Sequence, residues 1–482
     1  MNLAVVFALL SRIILGAGLL LLPPLGLNLF TGGPVTGFLL SLAAALIISF
    51  VLQKKGKIPK SSLTPREGMA VTALAWISVS LLYSLPYFFS ETLSLPDSLV
   101  ESISGLTGTG ATMINDIPAL SEGLLLFRSL THWVGGLGII VFFVALFPQA
   151  GRVQAKMVSA ESTGPTSSKA LPRIKETTAA IFVTYLIFTA AAAVSFALCG
   201  MTPLDALENA FSVIPTGGFA TKNESIAYYN NPLLEMVIVF FMLLSSANFG
   251  LYVAARKKGL SVVWKDKEFR LFLSIVLGST LLITISLVLQ SGADILRALR
   301  DSLFTVSSVS STTGYVTADF DKWPPFCRLL LLFLFFVGGC AGSTTGGFKV
   351  IRLLLLGKIL AASLRLVLHP RQVIHVRLGD EPYSEAVLFR ILAFFALYLG
   401  LVLLWALLFA FDGIAFNDAL GLSFSTMGNI GPAFGQFGAT CTYASLPPLS
   451  KGVVCLSMLM GRLEIIPLAV LFFPSFWKRS GW

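Results

Sequence analysis

The chain is poor in charge. Asp, Glu, Lys and Arg supply only 12% of its 482 residues, about half the share of a soluble domain. That shortage excludes an ordinary water-facing surface. Histidine is nearly absent: His132, His369 and His375 are the three, too few for a His-based metal site or proton relay. The five cysteines, Cys199, Cys327, Cys340, Cys441 and Cys455, are scattered without paired spacing, so neither a zinc site nor a disulfide framework is expected. No His/Asp/Glu or Ser/His cluster can be assembled, which disfavours an enzyme. No organic cofactor or ATP site is expected either. The one Gly-rich stretch ends Gly347-Phe348-Lys349, without the Gly-Lys-Ser/Thr ending of a phosphate-binding loop and without a preceding strand.

What the chain has is apolar length. Hydrophobic residues make up 55% and the mean hydropathy is +0.84. The apolar runs are continuous rather than alternating, so the fold class is an all-α, multi-pass membrane protein and not a barrel. The N-terminus lacks a basic n-region and a clear cleavage site and reads as a retained span rather than a signal peptide. Two N-terminal spans are expected, at 3–30 and 34–52, forming a unit over 1–52. Pro23-Pro24 should kink the first, and Arg12 inside it should snorkel or pair. Eight further spans are expected at 67–92, 124–148, 177–199, 232–255, 270–290, 325–365, 384–411 and 449–476.

Lys and Arg fix the expected orientation. Of 34, the segments 53–67, 149–177, 254–270, 346–390 and the C-terminal tail hold 25. Those segments alternate with the spans and should be cytoplasmic, with both termini inside. The net charge of +10 is then a consequence of topology and calls for no nucleic-acid partner. Anionic membrane lipid or an acidic cytosolic protein are the partners it suits. The outer connections carry Glu91, Asp116, Glu122, Asp319, Asp321 and Asp412, either a cation-concentrating vestibule or ordinary solvated loops.

Between the paired spans one short pattern occurs four times. Asp97-Ser98-Leu99 leads to Thr109-Gly110-Ala111, Asp205-Ala206-Leu207 to Thr216-Gly217-Gly218, Asp301-Ser302-Leu303 to Thr313-Gly314-Tyr315, and Asp418-Ala419-Leu420 to Ile430-Gly431-Pro432. With Gly110, Gly217, Gly314 and Gly431 as the marker, the Asp-to-Gly separations are 13, 12, 13 and 13 residues. Each copy reads as an Asp-capped helix too short to span a bilayer, followed by irregular backbone. Such backbone is tolerated at membrane depth only where it is buried or lines a water-filled cavity. Four copies can ring an axis and present carbonyl oxygens to a dehydrated cation. The alternative is four external turns. The expected units are 67–148, 177–255, 270–365 and 384–476.

Two features lie inside later spans. Gly338-Gly339-Cys340-Ala341-Gly342-Ser343-Thr344-Thr345-Gly346-Gly347 interrupts an apolar run with small polar residues, either a break in the helix or a small-residue packing face. Arg462 sits deep in the last span and should face the axis or an acid of another unit. Glu464, two positions on, does not share its helix face. Insert and Arg462 together are candidates for a gate.

These motifs resemble the Trk/Ktr/HKT potassium transporters, in particular the TrkH-like bacterial type. The carrying segments are Ser104 to Thr112, His132-Trp133-Val134-Gly135-Gly136-Leu137-Gly138, Gly338 to Lys349, and Gly461-Arg462-Leu463-Glu464, and the resemblance runs over essentially the whole chain. Two departures occur: Gly108 stands where the family commonly has Thr, and Pro215 where Ser is usual. The resemblance implies a single-chain pseudo-tetrameric pore with one filter glycine per unit. It implies K⁺ as the bound substrate, a bacterial inner-membrane location, a homodimer, and a cytosolic TrkA-like nucleotide-binding regulatory subunit. Symport with Na⁺ or H⁺, or a less selective K⁺/Na⁺ pathway, is the alternative; symport would draw on Glu464 as the one evident intramembrane carboxylate.

Overall fold

The computed structural model describes residues 1–57, 64–138, 174–372, 376–378 and 381–477. Expected features at Lys60, 139–173, His375 and the Lys478-Arg479 tail lie outside the described residues, including the end of the 124–148 span and most of the basic stretch at 149–176.

The described chain is helical apart from a minimal antiparallel pair, Arg377–Leu378 with Glu381–Pro382. The first span breaks at Leu20-Leu21, giving helices Leu3–Leu19 and Leu22–Thr31. Pro23 and Pro24 sit in the first turn of the second piece, where their missing N–H groups cost nothing. Helix Thr36–Lys55 packs on the first, with Ser11 Oγ donating to Ser49 O at 2.8 Å. Arg12 is exposed on the outside of this pair.

Four units follow, each a long helix, a short helix and a second, shorter helix. Unit 1 has Pro65–Phe89, Leu95–Thr107 and Glu122–Gly136. Unit 2 has Ile174–Leu198, Pro203–Val213 and Pro232–Ser246. Unit 3 has Lys267–Ser291, Ile295–Ser310 and Pro325–Phe336. Unit 4 has Glu385–Phe411, Phe416–Gly428 and Pro448–Arg462. One apolar core joins the N-terminal helices to units 1 and 4, while units 2 and 3 each carry their own.

The sequence predicts ten crossings, the first kinked at Pro23-Pro24 and the one ending unit 3 interrupted by the insert. Instead, the final helix stops short in every unit. In unit 2 it turns by 88° between Ser246 and Phe249. In unit 3 it resumes as Val350–Leu368 only after the insert. In unit 4 it ends at Arg462, and Glu464 and Ile465 take positive φ. In unit 1 it ends at Gly136, with Gly138 at φ 80°. Six helices, plus the bent pair as a seventh, are long and apolar enough to cross a membrane among the described residues. Small residues stand at each break, Gly135-Gly136, Ser245-Ser246, Gly338-Gly339 and Gly461, and at the glycines neighbouring atoms approach too closely for a side chain. A Cβ on Gly135 would strike Leu106 O, and one on Gly461 would strike Met427 O.

Candidate functional site

The short helices of units 1 and 2 are capped one turn before the repeated Asp, that of unit 3 is capped two turns before it, and that of unit 4 starts at Ala415 without a side-chain cap. Ser94 and Thr202 accept from the backbone N–H of Asp97 and Asp205, and Asp294 from Leu296 and Arg297. The repeated Asp is therefore not the N-cap expected of it. Asp97, Asp205 and Asp418 lie in the first turn, where a carboxylate favours the helix dipole, and Asp301 lies further in.

The C-terminal ends are built alike. A serine offers its carbonyl oxygen to the N–H five residues on, which in units 1, 3 and 4 is the residue just before the marker glycine and in unit 2 is Gly217 itself. The bonds are Thr109 N to Ser104 O (3.0 Å), Gly217 N to Ser212 O (2.8 Å), Thr313 N to Ser308 O (2.9 Å) and Ile430 N to Ser425 O (3.0 Å). This is a Schellman-type closure, and it needs a left-handed residue just before the donor. That residue is Gly108, Thr216, Thr312 or Asn429, at φ 64°, 57°, 55° and 55°. Gly108 thus fills a left-handed position that suits it better than Thr, and Pro215 ends the helical turn of unit 2.

The geometry corrects the register of unit 2. Gly110, Gly314 and Gly431 have φ 80°, 77° and 99°, and their counterpart is Gly218 at 90°, not Gly217. With Gly218 the separation from the repeated Asp is 13 residues in all four units. Gly217 matches Thr109, Thr313 and Ile430, and Thr216 matches the helix-ending residues.

The four glycines close a ring. The Cα hydrogen face of Gly110 abuts Gly217 O, that of Gly218 abuts Thr313 O, that of Gly314 abuts Ile430 O, and that of Gly431 abuts Thr109 O. Each unit touches the next, and the fourth returns to the first. A Cβ at any of them meets a carbonyl oxygen and is disfavoured by φ as well. On one side the ring opens into a cavity of about 140 Å³ whose lining includes all four of these glycines but not Gly217. Ala111 and Pro432 also line it, whereas Tyr315 is buried behind the strands. Its charged lining is Arg128 and Lys222, so the acidic residues of the outer connections do not form it.

Strands and scaffold are tied by side chains that sequence reading missed. Arg128 Nε meets Glu101 Oε1 at 2.9 Å, both groups essentially fully buried at 2% and 0% exposure. Glu101 also accepts from Met113 N, and Arg128 donates to Ala220 O. Phe219 lies between the Arg128 guanidinium at 4.2 Å and the His132 ring at 4.2 Å. His132 Nε2 accepts from Phe219 N at 3.1 Å, so Nδ1 carries the proton and donates to Gly105 O. The spacing of Arg128, His132 and Phe219 gives no sequence signal for this stack. The short helices also bury Glu101 and Glu208, and flanking helices bury Glu235 and Glu268. Glu464 is therefore not the sole intramembrane carboxylate.

The insert closes the ring's other side. Gly338 N donates to Phe348 O and Val350 N to Gly339 O, so the two helix stumps are stitched together and residues between them are thrown across the axis. Thr344 Oγ1 donates to Ile214 O at 2.9 Å and lies 3.4 Å from Thr216 Oγ1. Gly346 N donates to Thr312 Oγ1 at 2.9 Å, and Gly346 packs on Gly428 O and Asn429. Arg462 donates to Thr344 O at 2.5 Å, Gly135 O at 2.8 Å and Gly136 O at 2.7 Å. It thus grips carbonyls of units 1 and 3. Units 1 to 4 all meet beneath the ring. Lys349 Nζ donates to Thr345 O and, at 2.9 Å, to Thr345 Oγ1. Glu268 accepts from Ala341 N within the insert and from Ile351 N in the helix that follows it, and Arg352 pairs with Glu464 at 2.5 Å. Ser343 hydrogen-bonds within the insert, while Gly342, at its tip, and Gly347 take positive φ.

Fold and site together define a multi-pass membrane protein with four like units around one axis, a backbone ring, and the insert packed against one side of that ring. The family of cation transport proteins called TrkH matches residues 37–479. The Trk system potassium uptake protein TrkH of Salmonella typhimurium is 35% identical over 472 residues, 97% of each chain. That of Halomonas elongata is 34% identical over 484 residues, 99% of this chain and 100% of its own. The crystal structure of the potassium transporter TrkH from Vibrio parahaemolyticus superposes with a TM-score of 0.90 at 32% identity, covering 99% of this chain and 100% of that one. The chain belongs to the TrkH family, a family of transport proteins and not of enzymes.

Proposed function

We propose that the chain takes up potassium across a bacterial inner membrane through the glycine ring, which acts as a selectivity filter. The observation that carries this reading is the ring itself: four backbone strands meet at one level, and the insert lies directly across the far side. Backbone carbonyls of the strands at Thr109-Gly110-Ala111, Gly217-Gly218-Phe219, Thr313-Gly314-Tyr315 and Ile430-Gly431-Pro432 would replace the water of K⁺, the bound substrate. The short helices point their C-terminal ends at the axis, adding partial negative charge. The naming of similar proteins as Trk system potassium uptake proteins supports the choice of ion.

The insert and Arg462 are the gate in this reading. Its residues Gly338, Gly339, Gly342, Ser343, Thr344, Thr345, Gly346 and Gly347 occlude the path below the filter, and the Arg462 charge opposes a cation there. A cytosolic TrkA-like nucleotide-binding subunit would open it by pulling on the helix after Lys349, and the chain would work as a homodimer with both termini cytoplasmic. The basic segments, at Lys54-Lys55, Arg256-Lys257-Lys258 and Arg371 among others, support that orientation. Flux of K⁺ and Na⁺ in proteoliposomes, with and without such a subunit, tests the reading: K⁺ flux that exceeds Na⁺ flux and rises with the subunit is expected.

Coupled symport with H⁺ or Na⁺ is a second reading. It is favoured by Glu208, buried in the short helix of unit 2 with Oε1 lacking a hydrogen-bond partner among the described residues. Uptake of K⁺ that acidifies the vesicle lumen, and loses that acidification in Glu208→Gln, would select it over uncoupled flux.

A further inference from the structure

The ring is not equivalent in its four quarters. Among the described residues no donor reaches the carbonyl oxygens of Gly110, Gly218 or Gly314. The Gly431 carbonyl is different. It accepts from Ser425 Oγ at 2.9 Å and from Tyr443 Oη at 2.5 Å. A carbonyl oxygen has two lone pairs, so both are engaged by the protein. Ser425 belongs to the short helix of unit 4 and Tyr443 to the loop that follows its strand, and both are buried.

The sequence explains why unit 4 needs these donors. Pro432 follows the glycine and has no N–H with which to tie the strand. In unit 2 that tie exists, as Phe219 N donates to His132. In unit 3, Ser308, the counterpart of Ser425, donates one residue further on, to Tyr315 O at 2.7 Å. In unit 1 the counterpart Ser104 lies buried, with Oγ unpaired among the described residues. Tyr443 is itself anchored, its N–H donating to Thr112 O at 2.8 Å, so its hydroxyl is fixed against unit 1 as well.

We infer that Ser425 and Tyr443 are specificity-determining positioning residues: they withhold the Gly431 carbonyl from the ion, so that the glycine level of the filter offers three free carbonyls and one satisfied one. This deepens the filter reading and rests on it. A fixed three-plus-one ring holds its radius. A fourth strand freed of both donors moves, and a softer ring adapts to Na⁺.

The test is the K⁺/Na⁺ permeability ratio of the full chain in planar bilayers, read from reversal potentials under bi-ionic conditions. Tyr443→Phe removes one oxygen and nothing else. It is expected to lower the ratio by about fivefold, the factor one net hydrogen bond is worth in an equilibrium. Ser425→Ala is expected to do likewise, and Ser425→Thr, which keeps the hydroxyl, to restore the ratio. Ser104→Ala removes the same group at the equivalent helix position, where it has no partner among the described residues, and should leave the ratio unchanged. Gly431→Ser separates the two levels of the argument. If it lowers the ratio while Tyr443→Phe and Ser425→Ala do not, the positioning role is wrong and the filter stands. If none of the three moves the ratio, the filter assignment itself is wrong. Loss of selectivity in Ser104→Ala equal to that in Ser425→Ala would reduce the effect to helix packing and overturn the proposal.

Discussion

The Cα of Gly431 rests against the carbonyl oxygen of Thr109, so the last unit of the chain closes on the first. The two residues are more than 300 positions apart in sequence, and the contact repeats three more times around the axis. That closure makes each glycine answerable to its neighbour.

Replacing Gly110, Gly218, Gly314 or Gly431 by Ser should weaken K⁺ preference over Na⁺ in every case, since a Cβ meets both a carbonyl and an unfavourable φ, at about 1–3 kcal/mol of strain each. Gly217 should behave differently. Its Cβ would strike the His132 ring, so the defect of Gly217→Ala should be eased by a smaller residue at position 132, whereas that of Gly218→Ala should not. Paired reversal-potential measurements on the single and double variants check this.

Deleting Gly342–Gly346 should raise K⁺ flux and make it less dependent on a cytosolic subunit, because the residues that cross the axis are gone. Arg462→Ala should act in the same direction but more weakly. Arg462→Lys should resemble the Ala variant, since a single ammonium cannot reproduce the fork that reaches Thr344, Gly135 and Gly136. Monodisperse protein with unchanged or lower flux in the deletion variant would leave the insert as a packing feature.

Glu101→Gln should destabilise the protein by about 3–5 kcal/mol, because it leaves the buried Arg128 guanidinium without its counter-charge. The readout is thermal unfolding of the purified protein in detergent. A midpoint equal to that of the unaltered protein would mean the pair carries no structural load.

Single cysteines placed at Lys55, Lys257 or Arg371 should resist labelling from outside intact cells, because basic residues collect there. Strong external labelling would invert the proposed orientation.

Much of this architecture was legible in the sequence. Apolar length gave the spans, and the recurrence of Asp-Leu followed by Gly gave the four units. The insert was visible because Gly and polar residues interrupt an apolar run between Phe336 and Val350. Three things were not legible. The register of unit 2 was ambiguous because Gly217 and Gly218 are adjacent, and only backbone conformation distinguishes them; the serine at six residues before each ring glycine was the available signal. The breaks at Gly136, Ser246 and Arg462 were hidden by apolar residues on both sides, since hydropathy does not register a turn. The Arg128–Glu101 pair, Tyr443 and the buried carboxylates depend on contacts between distant segments, which no local pattern encodes.

The most direct test of the central claim is the K⁺/Na⁺ selectivity of reconstituted flux in the unaltered protein beside Gly218→Ser. The account predicts flux that favours K⁺ in the first and a sharply reduced preference in the second, with both proteins monodisperse. Equal selectivity in the two would contradict it and remove the glycine ring from the ion path.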